Sequence, residues 1–295
     1  MNVLILANTH SGRGKAMVIA TRLAQIAGTR DHHARVEPFG NGHDPARLDD
    51  AARWCDALAV CGGDGSIHHA ATLAIRHDKP IYHIPMGNEN LFAREFGMTS
   101  SPQALLAALE TRRERRADIA QATNTPAGVT AAHFLLMLSL GPDSSVVERL
   151  HQRRNGPVGH LAYFAPILAE ARRPSFPRLT VVADGRELVR EQRGWLIVAN
   201  SRQYALRLDP AASADIADGV LDVAFMPSTT LFAAVAWVVR ARLRRTAGAT
   251  FTRCRQLTVS ADDAPIQVDG EFAGRLSGTL EIAVRPASLR VLLPR

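Results

Sequence analysis

The sequence predicts an α/β domain with a doubly wound parallel sheet at residues 1–120, followed by a β-rich, sandwich-like domain at residues 121–295. Apolar runs alternate with helical patterns through the first part, the rhythm of an open parallel sheet covered on both faces. Glycine-containing loops close three of those runs. From about Arg116 the apolar runs come instead as strands separated by turns, as in a sandwich.

In chain order, the run Asn2–Ala7 is a first strand, followed by a helix over Lys15–Ala27. His33–Pro38 is a second strand. Asp44 then caps a helix that has Pro45 at its first position, where a missing N–H costs nothing. Asp56–Val60 is a third strand, with a helix at Ile67–Arg76. Pro80–Ile84 is a fourth, and Ser101-Pro102 opens a helix reaching Glu110. The second part supplies the strands Ala132–Leu140, Leu179–Ala183, Trp195–Ala199, Val220–Phe225, Leu257–Ser260, Ile266–Val268 and Leu280–Val284. Two helical segments interrupt it, Leu161–Arg172 and Leu231–Arg245.

The composition is that of an ordinary globular protein, with 46% hydrophobic and 21% charged residues. No apolar run is long enough for a bilayer span, so a transmembrane segment is not expected. The opening residues lack a basic flank and a cleavage site, and read as a strand instead of a signal peptide. Cys55, Cys61 and Cys254 form neither a metal spacing nor an even disulfide framework, which fits a reducing cytoplasmic compartment. The net charge of +7 comes almost entirely from arginine, because only Lys15 and Lys79 are lysines. Such a surface attracts nucleotides, phospholipid head groups or nucleic acid. With only 5% aromatic residues and no recognition motif, a nucleic-acid partner is not expected.

The strongest local signal is Gly62-Gly63-Asp64-Gly65-Ser66, after the third strand and opening a helix. Glycines let backbone approach a ligand, and N–H groups at a helix start hold phosphate oxygens. Asp64 would repel phosphate unless it binds Mg²⁺ or the nucleotide ribose; as a bare turn it would only cap the helix. A second loop, Pro85-Met86-Gly87-Asn88-Glu89-Asn90, ends the next strand and offers the Asn90 amide. Two adjacent loops at the carboxyl edge of a parallel sheet mark where such folds bind ligands. A third loop, Asn8–Lys15, lacks the spacing of a P-loop. Far along the chain, Asp269-Gly270 forms a hairpin turn, and Glu271 after it is a candidate general base in a cleft between the domains.

Taken in order, these segments resemble the catalytic domain of the diacylglycerol kinase family, which includes bacterial lipid kinases and sphingosine kinases. The matching features are Asn8 with Ser11-Gly12, then GGDGS, PMGNENLFAREFG, LGPD with Asp143, NSRQY, DGVLDV at Asp218–Val223, and VDGE at Asp269–Glu271. The resemblance implies ATP held by Asn8, Ser11, Gly62–Ser66, Gly87, Asn88 and Asn90. It implies transfer of the γ-phosphate to a lipid hydroxyl at a membrane surface, with peripheral association and a homodimer left open. Glu271 would be the base, Asp64 and Asp143 members of a Mg²⁺ and water network, and Asp218 with Asp222 a structural metal site. Leu91 stands where diacylglycerol kinases often carry aspartate and sphingosine kinases an apolar residue, so the acceptor stays open between glyceride and sphingoid.

Two other readings share these residues: a kinase of the NAD or sugar-phosphate type, and a non-catalytic nucleotide- or lipid-binding regulator. The segment Leu231–Arg245 either packs its apolar part on the sheet or lies at a membrane interface with its arginines on head groups.

Overall fold

Val3, Leu4, Ile5, Leu6 and Ala7 are fully buried, so the strand they form, β1 (Asn2–Asn8), is an interior one. The computed structural model describes residues 1–40, 44–123, 126, 128–130, 133–152, 164–172, 174–204, 210–243 and 248–294. β1 pairs in parallel with β2 (His33–Phe39) on one side and β3 (Ala57–Gly62) on the other, and β3 pairs in parallel with β4 (Ile81–Pro85). In the order β2-β1-β3-β4 the chain winds outward to β2 and then crosses to β3. The switch between β1 and β3 leaves a crevice at their carboxyl ends, where open α/β sheets take their ligands.

The crossovers are α1 (Ala16–Gly28), α2 (Pro45–Trp54) and α3 (Asp64–Arg76). α2 begins as its sequence dictates: the Asp44 carboxylate accepts from the Ala46 amide at 3.0 Å, ahead of Pro45. The short α4 (Leu91–Glu95) and then α5 (Pro102–Thr111) follow β4.

The chain divides into two units, Met1–Ala117 with Ala287–Arg295, and Asp118–Pro286. The C-terminal segment therefore belongs with the first unit, where a single boundary near residue 120 would put it with the second. The cause is the last strand, β13 (Glu271–Leu292), whose end reaches β4 and pairs Val291 with Ile81.

The second unit is β-rich. Its strands are β5 (Glu114–Thr123, which begins in the first unit), β6 (His133–Phe134), β7 (Met137–Leu140), β8 (Arg178–Ala183), β9 (Arg186–Ala199), β10 (Leu221–Pro227), β11 (Thr250–Cys254) and β12 (Gln256–Val268), together with most of β13. β7 and β8 each lie between β9 and β12, at opposite ends of those two strands. Leu140, Val181, Leu196, Val198, Leu257 and Ile266 fill the core between them. The helices are α6 (Pro142–Gln152), α7 (Phe164–Arg172) and α8 (Leu231–Arg242).

The expected strand Ala132–Leu140 is broken by bends at Leu135 and Leu136, whose amides are taken by the Asp269 carboxylate; Ala132 lies outside the described residues. Leu257–Ser260 and Ile266–Val268, expected as two strands, are one. A bulge between Ala261 and Ala264 accommodates the polar pair Asp262-Asp263 that hid its continuity. α6 is a helix in addition to the two that the sequence predicts in this part. The start of the helix expected from Leu161, and Arg244 with Arg245, lie outside the described residues. Among the described residues no helix is long and apolar enough to cross a membrane.

Candidate active site

Three loops converge at the carboxyl ends of β1, β3 and β4. Asn8 closes β1, and its side-chain amide donates to Ser66 Oγ at 2.7 Å, which ties the end of β1 to the first turn of α3. The Asn8 side-chain Oδ1 accepts from the His10 amide at 3.0 Å and fixes the start of the first loop. Ser11 opens a single 3-10 turn, Ser11–Gly14, and a Cβ on Gly12, whose φ is +59°, would run into Met86 Cε. A Cβ on Gly62 would likewise strike Ser66 Oγ. The remaining pair is backbone against backbone: a Cβ on Gly63 would lie 3.3 Å from the Gly87 Cα. Only glycines leave this floor bare.

Asp64 does not cap α3, as a bare turn would have it. Gly63 is the capping residue and carries no side-chain cap, while Asp64 sits in the first turn and its Oδ1 accepts from the Phe92 amide at 3.1 Å. A carboxylate there meets the positive end of the helix dipole and anchors the start of α4. Asn90 holds the second loop closed by itself: Oδ1 accepts from the Gly87 amide and Nδ2 donates to the Gly87 carbonyl, both at 2.7 Å. This requires Asn90 at φ +48°, a left-handed conformation that asparagine tolerates. Gly87 and Asn88 are exposed, and Gly65 is half-buried.

Sequence reasoning missed the group beneath this floor. His83, on β4, is fully buried, and its Nε2 bonds the Gly62 carbonyl oxygen at 2.9 Å, an acceptor shared with the Met86 amide at 2.8 Å. Burial pushes the imidazole down to about 4, so it is neutral and donates from Nε2. Its one signal in the sequence is a histidine inside an otherwise apolar strand, IYHIP.

In the second unit, Asp269 (φ +49°) and Gly270 (φ +85°) are the two central residues of the tight turn joining β12 to β13, with Val268 opposite Glu271. Two positive φ values make a type I′ hairpin. The buried Asp269 carboxylate accepts the amides of Leu135, Leu136 and Met137 at 2.8, 2.8 and 3.0 Å. Gln267 accepts from the Gly270 amide at 2.8 Å and donates to Ser139 Oγ at 2.9 Å. Ser139 in turn donates to Asp143, and Tyr204 donates to the same carboxylate oxygen at 2.7 Å. The other Asp143 oxygen accepts from the Ser144 amide at 2.8 Å. A chain of polar groups thus runs from Tyr204 through Asp143, Ser139 and Gln267 to the residue before Glu271, which is itself half-buried. Burial raises the Asp143 carboxyl and, with the Asp143 charge beside it, the Tyr204 hydroxyl well above its usual value.

This ordering of parts matches known proteins along its length. Residues 2–122 match the diacylglycerol kinase catalytic domain, and residues 137–293 match the YegS C-terminal NAD kinase beta sandwich-like domain. A diacylglycerol kinase of Mycobacterium tuberculosis is 30% identical over 303 residues, covering 99% of this chain and 95% of that protein. The chain belongs to the diacylglycerol kinase family. As a member it is a kinase, a phosphotransferase. A Pseudomonas fluorescens protein named "Probable lipid kinase YegS-like" is 28% identical, covering 80% of the chain and 77% of that protein. Among solved structures, a diacylglycerol kinase from Bacillus anthracis has the same fold, with TM-score 0.68 at 16% identity and 99% and 96% of the two chains covered. An NAD kinase from Archaeoglobus fulgidus in complex with ATP shares it more distantly, with TM-score 0.55 at 16% identity and 99% and 93% covered.

The kinase places Asp218 and Asp222, the pair implied as a structural metal site, on either side of the Arg253 guanidinium. Arg253 is ion-paired with Asp218 and lies 3.4 Å through Nε from Asp222, and Ser213 Oγ donates to Asp222. The half-exposed Arg253 guanidinium faces both carboxylates, Asp222 Oδ2 is buried with no hydrogen-bond partner, and no group of three or more metal-binding side chains occurs among the described residues. A divalent ion shared by the pair would have to displace Arg253. The glycine floor of the three loops is different. Mg²⁺ bound with phosphates keeps several waters and takes one or two carboxylates, a demand that Asp64 meets.

Proposed function

We propose that the protein transfers the γ-phosphate of ATP to the hydroxyl of a lipid of diacylglycerol or sphingoid type. The observation that carries this reading is the bare backbone contact of Gly63 with Gly87 at the carboxyl ends of β3 and β4, in a chain of this family. It gives a surface on which phosphates can lie against amides without meeting a side chain.

In this reading Asn8, Ser11, Gly62–Ser66, Gly87, Asn88 and Asn90 hold the nucleotide. Asp64 faces the Mg²⁺ that accompanies the phosphates, an ion whose role is to neutralise charge on the transferring group. Glu271 accepts the proton of the acceptor hydroxyl. Asp143 acts through others: its oxygens are occupied by Ser139, Tyr204 and Ser144, so it positions Gln267 and the turn that carries Glu271. Leu91 is buried at the start of α4, so an apolar side chain there serves packing and leaves the acceptor to be chosen elsewhere.

The test is transfer of radiolabelled phosphate from ATP to a panel of diacylglycerols and sphingoid bases, with and without Mg²⁺, against Asp64→Ala as control. Labelled lipid that depends on Mg²⁺ and on Asp64 is expected. Labelling of no lipid by the unaltered protein, or full labelling by the Asp64 variant, would sink the reading.

A further inference from the structure

Helix α8 is built the wrong way round for a helix that packs on a sheet. Among its described side chains the inward one is Trp237, buried in a cluster with Trp195, Ile197, Tyr204 and Met226 and donating its indole N–H to the Pro227 carbonyl at 3.3 Å. The bulky aliphatic and aromatic residues lie elsewhere. Phe232 is 85% exposed, Val235 and Val239 each 51%, and Leu243, just past the helix end, 57%. Spacings of three, four and four residues put these side chains on one face, because a helix turns 100° per residue. Soluble surfaces scatter single apolar residues; a contiguous stripe marks something that covers it.

The surrounding charge says what does. Residues 223–249 contain Arg240, Arg242, Arg244 and Arg245 and not one aspartate or glutamate. Arg240 stacks on Trp237 with its guanidinium carbon 4.8 Å from the ring centroid, at the edge of the stripe. A second copy of this chain would bring the same arginine-rich segment against itself, and like charges oppose that contact. An apolar stripe with Arg240 at its edge, in a segment whose only charged residues are arginines, suits the boundary between acyl chains and anionic head groups.

We propose that α8 is the element with which the protein docks on anionic bilayers, Phe232, Val235, Val239 and Leu243 entering the acyl boundary and the neighbouring arginines resting on head-group phosphates. The docking rests on the lipid-kinase reading only for its purpose, since a kinase of membrane-embedded alcohols must reach the surface that holds them. Its measurement needs no turnover.

The experiment is co-sedimentation of the full-length protein with phosphatidylcholine vesicles, with and without phosphatidylglycerol. The unaltered protein is compared with Phe232→Ser/Val239→Ser and with Arg240→Gln/Arg242→Gln. Phe232, Val239 and Arg240 are exposed on the helix, and far-UV circular dichroism checks that both variants fold. Binding should require phosphatidylglycerol and weaken roughly tenfold or more in the apolar variant. Each arginine removed should weaken it by roughly fivefold, an effect lost at high salt. Unaltered vesicle binding by the folded Phe232/Val239 variant overturns the proposal. So does a dimer in light scattering that this variant dissociates while vesicle binding persists, because a second copy would then be the occupant. Failure of the kinase reading would show as absent lipid phosphorylation with these binding results intact.

Discussion

Gly63 and Gly87 meet backbone to backbone, and a Cβ built on Gly87 would lie 2.8 Å from the Gly63 Cα and 3.0 Å from Asn90 Oδ1. Neither neighbour can move aside alone: one is main chain, and the other holds the Gly87 amide. Gly87→Ala should therefore push the two loops apart, cost about 1–3 kcal/mol of stability as an overpacked site does, and weaken nucleotide binding. Gly28→Ala, with open space around it, should do neither. Thermal unfolding and titration calorimetry with ATP check the pair, and a Gly87→Ala protein that binds ATP normally would show that the loops are not the floor of the site.

Asp64 combines a structural bond with a charge, and the two separate on substitution. Asp64→Asn keeps an acceptor for the Phe92 amide at 3.1 Å but removes the carboxylate. Melting should stay close to that of the unaltered protein while phosphoryl transfer falls about a hundredfold or more, as when a charge-stabilising group is removed. Rate measurements across Mg²⁺ concentrations check this, and an unchanged Mg²⁺ dependence would assign Asp64 to α4 anchoring alone.

How much of this was legible depends on range along the chain. The glycine loops, the Asp44 cap and the Asp269-Gly270 turn are local features, and the structure places them where the residues point. The parallel sheet was readable because β1, β3 and β4 are continuous apolar runs. What the sequence concealed is long-range pairing. Nothing near Asp269 shows that its carboxylate would take amides of residues 135–137, and nothing near Asp218 shows that Arg253 would reach it. β12 was split in two because a bulge carrying two aspartates resembles a loop. His83 was passed over because its partner, the Gly62 carbonyl, is on a neighbouring strand.

His83 gives the first unit a pH dependence. Burial holds its folded-state value at about 4, below the ordinary 6.5. The unfolded chain therefore binds a proton between these values that the folded chain does not. By linkage the contribution is complete above 6.5 and is lost as pH falls through about 4, on the order of 3 kcal/mol in all. His83→Gln, which keeps a donor for the Gly62 carbonyl, should flatten stability across that window. Urea unfolding at a series of pH values checks it; identical profiles would mean His83 is not buried neutral.

Tyr204 and Asp143 offer a test of positioning against chemistry. Tyr204→Phe removes one donor from a buried carboxylate, and a loss of about 1–3 kcal/mol in stability is expected. If Asp143 acts through the turn and not on Mg²⁺, both Tyr204→Phe and Asp143→Asn should lower kcat while leaving the Mg²⁺ concentration for half-maximal rate unchanged. A large shift in that concentration with Asp143→Asn would return Asp143 to the metal network.

Glu271 carries the most chemistry in the proposed reaction. A lipid hydroxyl is a poor nucleophile at neutral pH, and a positioned carboxylate that accepts its proton contributes roughly 10² to 10⁴-fold in rate. The turn before Glu271 is pinned from two sides. Asp269 binds three backbone amides, and Gln267 holds the Gly270 amide at 2.8 Å. Glu271→Gln preserves size and leaves these contacts alone, so ATP affinity should be unchanged while kcat falls by that factor. Gln267→Met should give a smaller loss in kcat with Glu271 still present, because the base remains and only its aim is loosened. Asp269→Asn should act mainly on stability, since it disturbs a buried carboxylate with three charge-assisted bonds. A Glu271→Gln protein that turns over normally, beside an Asp269→Asn protein that is folded and inactive, would move the base to Asp269.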